Sequence, residues 1–169
     1  MINKKLEEAI NQQMNRELYS SYLYLSMAAY FESKGLSGFA NWMRIQVKEE
    51  NFHGMKFFNY LVGRGGRVKL HNIEAPPTEW ESPLHVYEHT YDHEKKVTQL
   101  INNLLALATE EKDYATMSML QWYVNEQVEE ESSASAIVDY LKIIGNDGAG
   151  LYMLDKELAL RELNPTIKE

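Results

Sequence analysis

The 169-residue chain has no cysteine, only four prolines and only nine glycines. Without a thiol there is no disulfide, thiolate-bound zinc, iron–sulfur cluster or cysteine nucleophile. No apolar run approaches the roughly 20 residues that a membrane span requires. Residues 1–8 lack the apolar stretch of a secretory signal, so a cytoplasmic location is expected. Positive charge is scarce, with 17 Lys+Arg against 25 Asp+Glu and a formal net charge of −8. That balance disfavours a nucleic-acid partner and suits cations. Gly-rich phosphate loops, nucleophile triads and basic patches are missing as well.

What is present is helical periodicity over one domain's length, residues 1–169. No proline or glycine interrupts the chain between Asn3 and Lys34, and Leu6, Ile10, Met14, Leu18, Tyr24, Met27 and Phe31 recur at helical spacing. This predicts a helix over 4–34, closed by Gly35. A second helix, opened by Ser37 or a neighbour, runs over 37–62 until Gly63, Gly65 and Gly66 stop it. Such a helix is about 39 Å long, and the stretch 64–82, with Pro76 and Pro77, is long enough when extended to run back along it. The third helix, 83–111, starts at Ser82-Pro83 and lies parallel to the second. Asp113 caps a fourth, 114–143. Glycines at 145, 148 and 150 break the chain before a short fifth helix over 151–163. The expected fold is all-α, a four-helix bundle with one long crossover between helices two and three and a short C-terminal helix.

Each long helix carries a carboxylate on its apolar stripe. In the second helix the series Phe39, Met43, Gln46, Glu50, His53, Phe57, Tyr60 puts a glutamate and a histidine three residues apart on one face. Glu17 falls in the series 6, 10, 13, 17, 20, 24, Glu94 in 87, 90, 94, 97, and Gln127 and Glu130 in 120, 123, 127, 130, 134. All lie near the middle of their helices, within about a turn at 1.5 Å per residue. Four carboxylates, an imidazole and an amide therefore meet in one layer of an apolar core. Ionised carboxylates cannot share such a layer without a cation, and these donors suit iron or manganese better than zinc. Glu49, Glu126, Glu129 and Glu131 flank the layer, as an outer ion site or a solvated acidic face. Tyr24 reaches it as a hydrogen-bonding or one-electron partner, or as a core tyrosine, and Trp122 packs beside it. His85, His89 and His93 recur every fourth residue off the Glu94 stripe, on an expected solvated or subunit-contact face. These residues leave open a di-iron or di-manganese redox enzyme and a purely structural bundle.

Three stretches, Asn15–Tyr22, Glu49-Glu50-x-x-His53 and Trp122–Glu131, together with Leu151–Leu158, resemble the ferritin family, most closely the prokaryotic non-haem ferritins. The resemblance implies an iron-storage ferroxidase that oxidises Fe(II) with dioxygen or peroxide and stores Fe(III) in a shell of twenty-four subunits. It implies that Glu17 and His53 bind one iron, Glu50 bridges, and Glu94 and Glu130 bind the second, with Gln127 orienting by hydrogen bond. A third iron position maps to Glu49, Glu126, Glu129 and shared Glu130. The fifth helix is expected to pack around a symmetry axis of the shell. Bacterioferritins have Glu-x-x-His where this chain has Gln127-x-x-Glu130, and their haem-binding methionine falls at Asn51, so no haem is expected. The acids that line the threefold pore of animal ferritins correspond to Met117 and Leu120 here. Rubrerythrins need a cysteine-bound iron domain, which this chain cannot supply.

Overall fold

The computed structural model describes residues 2–165, with five helices and no strand among them. They are α1 (Lys4–Ser33), α2 (Ser37–Gly63), α3 (Pro83–Glu110), α4 (Tyr114–Ile144) and α5 (Gly148–Leu158). Caps explain most of the boundaries. Asn3, Ser82 and Asp113 accept from the backbone N–H groups of Leu6, His85 and Thr116. The turn that closes α1 passes through Gly35 at φ 72°.

Contacts at the helix ends fix the directions. Asn3 and Lys5 reach Glu111, so the start of α1 lies at the end of α3. Ile2 N–H donates to the Arg64 carbonyl, so α1 also runs against α2. Helices α2 and α3 are therefore parallel, and the crossover is real. Arg64 makes a double hydrogen bond to Asp113 (2.8 and 3.0 Å), which sets α4 against α2. That guanidinium holds the Asp113 carboxyl down to about 2.

The crossover is strapped along α1 by polar side chains. Glu7 accepts from Arg67 N–H at 3.0 Å, and Asn11 donates to the Arg67 carbonyl (3.0 Å) and accepts from Lys69 N–H (2.7 Å). Further along, Asn15 donates to the Asn72 carbonyl and Ser26 to that of Pro77. Trp80 then packs edge-on against Tyr30. An extended chain with few apolar residues is held there because α1 meets its backbone polar groups.

One boundary differs by more than a residue or so from the sequence expectation. Helix α5 covers 148–158 rather than 151–163, because Asp147 accepts from the N–H groups of Ala149 and Gly150 and starts the helix through the glycines. Helix α2 opens at Ser37 as expected, with Leu36 at the cap position and no side-chain bond from it. Buried Asp155 of α5 supplies the cap instead, accepting from Gly38 N–H (2.8 Å) and Phe39 N–H (3.2 Å). The approach is close enough to require glycine, since a Cβ at Gly38 would lie 1.6 Å from the Asp155 carbonyl oxygen.

The apolar core comes in two blocks. One gathers Leu23, Met27, Phe31, Phe39, Met43, Tyr87 and Leu141 with α5, and the other Leu6, Ile10, Met14, Phe57, Leu61, Ile101, Leu104 and Leu120. On every long helix the stripe between the blocks is occupied by polar residues.

Candidate metal centre

The intervening layer contains Glu17 (1% exposed), Glu50 (2%), His53 (1%), Glu94 (1%), Gln127 (3%) and Glu130 (6%). All the inner-face residues read from the stripes are thus buried, at a level between the two apolar blocks.

Three of the four carboxylates are steadied by glutamine. Gln13 donates to Glu17 Oε1 at 2.8 Å, Gln46 to Glu130 Oε2 at 2.8 Å, and Gln127 to Glu94 Oε2 at 3.1 Å. Buried Tyr24 donates its hydroxyl to Glu94 Oε1. Glu50 receives none of these, and its Oε2 and His53 Nε2 are buried with no hydrogen-bond partner among the described residues. His53 Nδ1 stands 3.5 Å from Glu50 Oε2. Burial pushes the imidazole pKa down to about 3, so the ring is neutral and the contact is not an ion pair.

The carboxylates behave as burial requires. Desolvation raises Glu17 to about 7, against the pull of the Gln13 hydrogen bond. Burial also lifts Glu50 well above the usual range, with Glu94, Glu17 and Glu130 adding repulsion, and lifts Glu130 similarly, with Glu94 and Glu49 adding to it. Glu94 is raised by burial and held back by Tyr24 and Gln127. A layer that resists its own ionisation and leaves two ligand atoms unpartnered fits a divalent cation, for which neutral imidazole and carboxylate oxygen are ligand forms. Ligand atoms of Glu17, Glu50 and His53 lie within 4.8 Å of one another, and so do those of His53, Glu126 and Glu130.

Outside the layer the flanking acids divide. Glu49 is buried and Glu126 half-buried, while Glu129 is exposed at the rim of a cavity of about 150 Å³ that both also line. Glu131 turns elsewhere and accepts from the Thr98 hydroxyl at 2.5 Å. Trp122 packs edge-on against the His53 ring and carries Lys56 over its face.

His85, His89 and His93 were expected on a solvated or subunit-contact face, and they do not share one solvated face. Only His85 is exposed. His89 Nδ1 accepts from Trp80 Nε1 at 3.1 Å, and His93 Nε2 meets the Ser20 hydroxyl at 2.8 Å, with its ring edge-on to Tyr24. Burial pushes His93 down to about 4, so it is a neutral wall for Tyr24. Sequence reasoning also missed four partners. Gln13 and Gln46 stood on the stripes without an assigned role, and Arg161, which bonds Glu49 at 2.7 Å, had no periodic signal at all. Tyr123 was read only as core, yet its hydroxyl donates to the His53 carbonyl at 2.7 Å.

Carboxylates from all four long helices are buried in one layer with a neutral histidine, and two groups of these side chains could hold a metal ion in a helical bundle. Residues 7–144 match the ferritin-like domain family. The chain is 46% identical over 161 residues to the bacterial non-heme ferritin of Bacteroides fragilis (strain 638R), covering 95% of this chain and all of that one. It is 44% identical over 164 residues to that of Staphylococcus epidermidis, covering 97% and 99%. Among solved structures, the open pore ferritin of the hyperthermophilic archaeon Archaeoglobus fulgidus superposes with a TM-score of 0.95 at 57% identity, covering 96% of this chain and all of that one. An engineered closed form of the Archaeoglobus fulgidus ferritin gives 0.96 at 57% identity, covering 97% of this chain and all of that one. The chain belongs to the ferritin family, and iron storage is its function.

Proposed function

We propose that the buried layer is a ferroxidase centre at which pairs of Fe(II) are oxidised before storage. Glu17 and His53 hold one iron, Glu50 bridges, and Glu94 and Glu130 hold the other, with Gln127 and Tyr24 orienting Glu94. Glu49, Glu126 and Glu129, with shared Glu130, form a third position on the way out. Each pair of Fe(II) gives up two electrons. With two protons these reduce dioxygen to hydrogen peroxide, or peroxide to two waters. The reading rests on one observation: Glu50 and His53, on one helix face, each keep a buried ligand atom without a partner amid three other buried carboxylates.

Storage requires a hollow assembly, and the proposed form is a shell of twenty-four copies in the cytoplasm. Exposed apolar Ile143, Tyr152, Met153 and Leu160, around the α4–α5 end, support self-association. Among the described residues no helix is long and apolar enough to cross a membrane. Glu50→Ala and His53→Ala should each abolish fast Fe(II) oxidation, followed by absorbance and oxygen consumption, with helical circular dichroism retained. Wild-type oxidation rates in both variants would remove the assignment. Light scattering with iron loading tests storage, which needs many more irons per chain than the centre itself can hold.

A further inference from the structure

The outer cavity is lined by five carboxylates, Glu49, Glu126, Glu129, Glu130 and Glu162, and by a single basic side chain, Arg161. Arg161 follows α5 and is placed with care. Asn41 donates to the carbonyl oxygens of Leu158 (3.2 Å) and Arg161 (3.1 Å), which fixes the tail on α2. The guanidinium lies 4.3 Å from the centre of the Trp42 ring and donates through Nη1 to the Trp42 carbonyl. Nη2 donates to Gln46 Oε1 at 2.5 Å and to Glu49 Oε2 at 2.7 Å. The other end of Gln46 donates to Glu130 Oε2. One line of hydrogen bonds thus joins the tail to a carboxylate of the buried layer.

An ion in the third position needs the Glu49 carboxylate, and that carboxylate already has a fixed cation. We propose that Arg161 is the resident counter-cation of the outer cavity, which an incoming metal ion must displace from Glu49. This rests on the third position assigned under the proposed function. Displacement makes the outer position weaker than the inner pair, so iron there passes through rather than accumulates.

The test is calorimetric titration of the assembled, iron-free protein with Zn²⁺, a redox-inert probe. Wild type should show two tight ions and one weaker ion per chain, and Glu49→Gln should remove the weaker class. Arg161→Gln should tighten the weaker class about tenfold, about 1.4 kcal/mol, and leave the tight class within about twofold. Arg161→Lys keeps the charge and should stay near wild type. A lowered melting temperature in Arg161→Gln with unchanged weak-class affinity would make Arg161 a tail anchor only and overturn the proposal. Absence of the tight class in wild type would overturn it together with the metal centre.

Discussion

Glu50→Met replaces a buried carboxylate by an apolar side chain of similar length, and it should stabilise the metal-free protein while removing its tight metal binding. Glu50 Oε2 is buried without a partner and Glu94, Glu17 and Glu130 repel its charge. An orphaned buried polar atom costs about 1–3 kcal/mol. For a chain of this size each kcal/mol moves Tm by about 2–4 °C, so the gain is about 2–12 °C. The pH dependence has a definite sign. In the folded protein Glu50 is raised above its ordinary value of 4.5, so the site's contribution to stability is full below that value and falls as pH rises. Methionine does not titrate, so its advantage should be larger near pH 8 than near pH 5. Calorimetric melting of chelator-treated wild type and variant at the two pH values measures this. Saturating Zn²⁺ should reverse the order, because the tight inner class that stabilises wild type is lost in the variant. A metal-free Glu50→Met that melts below wild type near pH 8, or whose advantage does not grow with pH, would refute the reasoning.

Two further outcomes follow from the same geometry. Metal binding should release protons, because burial raises Glu17 to about 7 and lifts Glu50 and Glu130 well above the usual range. The release should be greater near pH 6.5 than near pH 8.5, measured by titrating Zn²⁺ in buffers of different ionisation enthalpy, and none at the lower pH would contradict carboxylate ligation. Asp155→Ala should cost about 1–3 kcal/mol, since it leaves two N–H groups of the first turn of α2 without their acceptor. Asp155→Asn, which keeps an acceptor, should recover part of that in chemical denaturation.

The helices and the buried layer were legible because each rests on local periodicity, and the crossover because 64–82 is long enough to run back along the second helix. Glu17, Glu50, Glu94 and Glu130 stand on stripes that can be read one helix at a time, and their common depth follows from rise per residue. Contacts between distant segments leave no such trace. The bond from Arg161 to Glu49 spans 112 residues, and that from Asp155 to Gly38 spans 117. The fifth helix was misplaced for a related reason. Three glycines within 145–150 outweigh one aspartate by propensity, yet the Asp147 carboxylate meets two free N–H groups and carries the helix through them. The half-burial of His93 left no trace in its own helix, because its partner, Ser20, sits on another.

The distant cap on α2 also orders events during synthesis. Asp155 leaves the ribosome long after Gly38 has emerged, so the opening turn of α2 lacks its acceptor for most of translation. That corner of the bundle is closed only when α5 arrives, which makes the last helix a latch on the second.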